Sequence, residues 1–307
     1  MHQLRPPSLL AAALAVTVAL AIGGCGDPRD DGELKVLTTF TVIADMARQV
    51  AGDRVEVASI TKPGAEIHGY EPTPRDLRRA ASADLVLENG LNLERWFERF
   101  IAPARTRHVT VSEGIEPIPI AGDAYAGKPN PHAWTSIANG AVYVDNIRDA
   151  LIDLDPAGAA TYRRNAARYK ARIRAVGDGV RRALAGLPKR QRVLVTCEGA
   201  FSYMARDLGL REAYIWPVNA EQQSTPQQIA ATIRTVRRTG VPGIFCESTV
   251  SDEGQRQVAR EGGSRLAGTL YVDSLSGPDG PVPTYLDMLR RNAETIAAGL
   301  APREATR

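Results

Sequence analysis

Imidazole nitrogen is a good donor for transition metals, and this chain of 307 residues has only four histidines with which to supply it: His2, His68, His108 and His132. His68 lies in the stretch K-P-G-A-E-I-H-G-Y-E-P-T-P-R-D, Lys62 to Asp76, where Pro63, Pro72 and Pro74 stiffen the backbone and Gly64 and Gly69 supply turns. Thr73 and Asp76 have the spacing of a capping box, and Pro74 falls at the first helical position, where its missing N–H costs nothing. A histidine held this firmly loses little entropy on binding a ligand. His132 stands in a second proline-bracketed loop, K-P-N-P-H-A-W-T, also just ahead of a helix. His108, in T-R-H-V-T-V, opens an apolar run and reads as the edge of a strand with a structural role, and His2 lies in a leader. Two histidines in matching contexts point to a metal site.

Carboxylates could complete it. Glu198 (T-C-E-G-A-F) and Asp273 (Y-V-D-S-L) stand just past apolar runs and ahead of turns. Glu247 (F-C-E-S-T) has a similar place and is read as a solvated cleft residue or a helix cap. Two imidazoles and two carboxylates make an N2O2 set. Because a carboxylate can bind through both oxygens, coordination can rise above four, which suits manganese or ferrous iron better than structural zinc.

The elements that must bring these residues together alternate strand and helix. Strands are expected at Leu34–Thr39, Val55–Ile60, around Leu85 and at His108–Val111, with helices after Thr41, from Pro74 and around Leu93–Ile101. A helix from about Ile137 to Leu154 follows His132. Beyond Pro156, Tyr162, Ala166, Tyr169, Ile173, Val176, Val180, Leu184 and Leu187 recur at steps of three and four. This predicts one long helix over 156–188, unbroken at Gly177 and Gly179, joining two lobes. The alternation then resumes, with strands ending at Glu198, Trp216, Ser248 and Asp273, a helix from Pro226 capped by Thr225 and Gln228, and a closing helix over Met288–Leu300. The expected fold is α/β: lobes 34–155 and 189–307, each a small parallel sheet flanked by helices, with the metal groove where the strands' carboxyl ends meet.

Composition bounds the rest. A net charge of +3, with arginines scattered among acids, excludes a nucleic-acid partner. Ser8 to Ile22 is an apolar run of signal-peptide length, and I-G-G-C resembles the bacterial lipobox. Residues 1–24 therefore read as a signal peptide, Cys25 as the lipidated first residue of an exported protein, and 25–33 as a tether. An exported compartment permits a disulfide between Cys197 and Cys246. Both end apolar strands, where bridging geometry is demanding, so two small unbridged residues are expected.

Taken in order, P-G-A-E-I-H-G-Y-E-P-T-P-R-D, P-N-P-H-A-W, T-C-E-G-A-F-S-Y, A-Y-I-W-P-V-N-A-E-Q-Q-S-T-P-Q-Q-I and Y-V-D-S-L resemble the zinc/manganese solute-binding lipoproteins of metal ABC importers. The resemblance covers Leu34 to Leu300. It implies two α/β lobes bridged by a rigid helix, with the metal bound by His68, His132, Glu198 and Asp273. Glu198 stands where zinc-type members have histidine, and the His-rich loop of those members is missing. Both departures are closer to the manganese/iron-type branch. A third departure, N-P-H for D-P-H with no proline in the following helix, is expected to alter loop packing more than ligation. The implied function is an exported, monomeric, non-enzymatic lipoprotein that captures one divalent ion, manganese or iron before zinc. It would face the periplasm or cell exterior and deliver its ion to a permease driven by an ATPase. The rival readings are a zinc-selective importer component, a metal-dependent adhesin and a mononuclear metal enzyme.

Overall fold

A computed structural model describes residues 33–122, 125–218 and 224–301; the expected signal peptide, Cys25 and nearly all of the expected tether lie outside them. The first lobe contains β1 (Lys35–Thr38), α1 (Thr41–Ala51), β2 (Glu56–Ser59), α2 (Pro74–Ala81), β3 (Leu85–Glu88), α3 (Phe97–Phe100), β4 (His108–Thr110) and α4 (Ile137–Leu154). Its four strands are all parallel in the order β2-β1-β3-β4, with Val36 paired to Val57 on one side and Leu85 on the other. The central strands are buried on both faces, as expected where helices cover a parallel sheet.

After α5 (Ala159–Ala185) the second lobe comprises β5 (Val193–Glu198), α6 (Ser202–Leu208), β6 (Arg211–Trp216), α7 (Pro226–Thr239), β7 (Gly243–Glu247), α8 (Glu253–Gly262), β8 (Arg265–Leu270) and α9 (Tyr285–Leu300). β5 pairs with β6 and β7 with β8, both in parallel. β5 and β7 run side by side, and Cys197 and Cys246 join them in a disulfide. This corrects the expectation of unbridged cysteines. Over a sequence separation of 49 the chain makes two crossovers, out to β6 and back to β7 beside β5, placing the two Cα atoms 4.9 Å apart, within bonding range.

α5 is unbroken over 27 residues, about 40 Å of helix. Its apolar stripe from Tyr162 to Leu184 packs on α1 and α4 of the first lobe and on α9 of the second. Gly177 does not interrupt it. A Cβ there would come within 2.8 Å of Ile137, so the missing side chain is what lets α4 approach. The expected start at Pro156 is a single 3-10 turn, Pro156–Gly158, capped by the Asp155 carboxylate, which also receives Tyr162 Oη (2.7 Å) and pairs with Arg54. No helix among the described residues is long and apolar enough to cross a membrane.

Other boundaries also differ from expectation. The helix expected over Leu93–Ile101 shrinks to α3, because Gly90, Leu91 and Asn92 all take positive φ and the Glu94 carboxylate receives the backbone N–H groups of Asn89 and Gly90. β8 stops at Leu270, three residues short of Asp273. Beyond it the Asn292 amide takes over as backbone partner, accepting from Tyr271 N–H and donating to Tyr271 O. α9 starts earlier than expected, at Tyr285, where Thr284 caps it through Asp287 N–H.

Candidate metal centre

The loop after β2 carries His68, the segment before α4 carries His132, β5 ends on Glu198, and the segment after β8 carries Asp273. These four come together between the lobes, with one donor atom from each lying within 4.8 Å of all the others. His68 Nε2 is 3.0 Å from His132 Nε2 and 3.7 Å from Glu198 Oε1, while His132 Nε2 is 3.5 Å from Asp273 Oδ1 and 4.0 Å from Glu198 Oε1. A tetrahedron of donors about 2.1 Å from a central cation has edges of roughly 3.4 Å. The observed separations bracket that value, so a single ion fits among them with small adjustments. All four residues are buried. His108 is elsewhere, exposed at the start of β4 with its ring 5.5 Å from Phe97, in the structural place expected of it.

Each side chain is held by its own partners. Glu66 accepts the backbone N–H groups of His68 (2.7 Å) and Gly69 (2.8 Å), and Trp96 Nε1 donates to Ile67 O, so the His68 loop is tied on both sides. Asn130 Oδ1 accepts both the backbone N–H of His132 (3.0 Å) and its ring Nδ1–H (2.9 Å). An amide oxygen can only accept, so Nδ1 carries a proton and Nε2 is the nitrogen turned to the centre. The Asn130 amide nitrogen donates across the groove to Gly199 O, next to Glu198. Thr249 Oγ1 donates to Asp273 Oδ2. The next residue, Ser274, receives Gly64 N–H at 2.7 Å, and Leu275 N–H donates to Thr41 Oγ1 at 2.9 Å. The segments bearing Asp273 and His68 are thereby laced together across the lobes.

Burial pushes the His68 imidazole down to about 4, with Asp273 pulling against it and His132 adding to it. The ring is therefore neutral near pH 7 and free to donate its lone pair. Glu247 is not the solvated cleft residue or helix cap expected of it: it is buried behind Glu198, and its Oε2 accepts Glu198 N–H at 3.3 Å. Burial pushes its carboxyl up to about 8. Glu247 also lies beside Cys197 and Cys246, but with both sulfurs in the disulfide that trio offers no thiolate.

Sequence reasoning missed Glu66, Thr249 and Ser274, and misread Glu247. Asn130 was visible only as the unusual first residue of N-P-H. Its polar side chain two positions before a histidine was the available signal.

Residues 36–299 match the family described as ZnuA, zinc-uptake complex component A, periplasmic. The iron-binding protein YfeA of Yersinia pestis is 49% identical over 97% of this chain and 99% of its own length. The manganese ABC transporter substrate-binding lipoprotein PsaA of Streptococcus pneumoniae is 33% identical over 95% of this chain and 98% of its own. The Mn-bound periplasmic metal binding protein of Candidatus Liberibacter asiaticus superposes with a TM-score of 0.82 at 38% identity, covering 88% of this chain and all of that one. With a family match running from β1 into α9 and relatives aligned over nearly their full lengths, this chain belongs to the ZnuA family of metal-uptake components.

Proposed function

We propose that this chain is the extracytoplasmic metal-binding component of an ABC-type importer. It captures one divalent cation with His68, His132, Glu198 and Asp273 and delivers it to a membrane permease driven by an ATPase. The observation that carries this reading is the convergence of two imidazoles and two carboxylates, from both lobes, on one buried point. Four protein donors, two of them able to chelate, leave little room for the open position a metal enzyme needs, so the chain holds its metal as cargo and does no chemistry on it. Relatives named as iron-binding and manganese-transporting agree with the N2O2 set. The lipobox-like I-G-G-C supports a Cys25 lipid anchor on a monomeric body.

The lacing of Ser274 and Leu275 to Gly64 and Thr41, together with the long α5, favours modest lobe movement. Release then depends on the permease prising the Asp273 segment from the His68 loop. Zinc selectivity is the second reading, favoured by the family description; zinc also outranks manganese and ferrous iron for the same donors. Competitive titration of Mn2+, Fe2+ and Zn2+, with metal accumulation measured in cells lacking the gene, tests both. Loss of manganese or iron accumulation supports the proposal, and unchanged accumulation of all three metals contradicts it.

A further inference from the structure

Beside the metal centre the groove opens into a cavity of about 590 Å3, walled mostly by the first lobe with Val218 contributed by the second. His68 forms part of that wall. It is also the only one of the four metal-site residues with any exposure, 9% against 0% for the rest, so an entering ion meets it first. Among the described residues, the same wall carries Arg95, Arg99 and Lys128, all exposed, against one carboxylate, Glu71. Arg95 is oriented by a hydrogen bond to Tyr125 Oη at 2.7 Å, and among the described residues none of the three cations is in an ion pair. Trp96 supplies an aromatic wall panel, fixed by its bond to Ile67 O.

This mouth is poorly matched to a bare hydrated cation. A net excess of two positive charges lowers the local concentration of a dication and raises that of an anion. The cavity is also in the size range of sites for small organic ligands. We infer that it receives the metal as an anionic carboxylate chelate, an inference that rests on the metal-binding reading above. Guanidinium and ammonium groups engage the chelator's carboxylates, and the ion is passed inward by ligand exchange. Each carboxylate oxygen the metal gives up is replaced by a protein donor, His68 Nε2 first. The metal keeps its charge throughout, and the freed carboxylates stay on the arginines and lysine until the chelator leaves.

The probe is manganese citrate, a 1:1 complex of net charge −1, set against aqua Mn2+. Loading of metal-free protein is followed by tryptophan fluorescence in a stopped-flow instrument, for the parent chain and for Arg99→Glu/Lys128→Glu. The double reversal changes the mouth by four charges. It is expected to slow loading from manganese citrate roughly fivefold and to speed loading from the aqua ion roughly 25-fold, since that ion has twice the charge and the opposite sign. Arg99→Gln/Lys128→Gln should give the same pair of shifts, each about halved on a logarithmic scale. Calorimetry should show citrate alone binding the parent chain and not the reversed variant. The inference is overturned if loading from citrate mixtures tracks free Mn2+ alone, or if both rates move in the same direction. If the parent chain takes up no aqua Mn2+ at equilibrium, the metal-binding reading itself fails.

Discussion

Replacing Asn130 with alanine removes the side chain that sets which nitrogen of His132 faces the centre. Four hydrogen bonds go with it: from His132 N–H (3.0 Å), from His132 Nδ1–H (2.9 Å), to Gly199 O (2.7 Å) and to Ser202 Oγ (3.2 Å). His132 is fully buried, so its orphaned donors have little access to water. Loss of the outer partner of a ligating imidazole costs about 10- to 100-fold in metal affinity, or about 1.4–2.7 kcal/mol. The unsatisfied buried groups should cost about 3 kcal/mol of fold stability in addition. Asn130→Asp separates the two effects. It keeps an acceptor for Nδ1–H, so manganese affinity should stay within a few-fold of the parent, but it faces Gly199 O with a second acceptor and loses the bond across the groove. Chelator-competition titration reports the affinity, and denaturant unfolding of metal-free protein reports the stability. An Asn130→Ala protein that is folded and binds manganese with unchanged affinity would refute the argument that this amide orients His132.

Glu198→His is expected to shift preference toward zinc, because a third imidazole replaces a hard, chelating oxygen donor; competitive titration of Mn2+ and Zn2+ checks it, and unchanged selectivity would remove Glu198 as the discriminating ligand. Cys197→Ser/Cys246→Ser opens a loop of 49 residues and should lower stability by about 4 kcal/mol by chain entropy, seen as a shift in urea midpoint. Burial holds the Glu94 carboxyl up at about 7, against an ordinary 4.5, despite its bonds from Thr39 Oγ1 and Asn89 N–H. A raised carboxyl means that the folded state keeps a proton the unfolded chain has released, so this residue's contribution to stability is greatest below the unfolded value and is lost as pH rises from about 4.5 to 7, by up to about 3 kcal/mol. Glu94→Gln should flatten that part of the urea-midpoint profile, and an unaltered slope would contradict the assignment.

What was legible in the chain was local or strongly periodic. Thr73 with Asp76 and Thr225 with Gln228 form complete capping boxes, because such boxes depend only on residues three apart. α4 begins and ends where the pattern placed it, and the stripe from Tyr162 to Leu184 foretold α5 through its glycines. What was missed depends on partners distant in sequence. The Cys197–Cys246 bridge follows from the adjacency of β5 and β7, which no run of residues records. The apolar run T-L-Y-V reads as strand past Leu270, yet Asn292, arriving from α9, supplies the backbone partners there. Glu247 resembles Glu198 in its local sequence and differs only in what surrounds it. His68, His132, Glu198 and Asp273 were each readable as candidates. Their convergence came from the family resemblance and from the requirement that parallel strands end at a common groove.

The most direct measurement is anomalous diffraction at the manganese edge from Mn-loaded crystals. One strong peak is expected between the lobes, roughly 2.2 Å from His68 Nε2, His132 Nε2 and the carboxylates of Glu198 and Asp273. A peak elsewhere, or one in contact with only one or two of those side chains, would contradict the account.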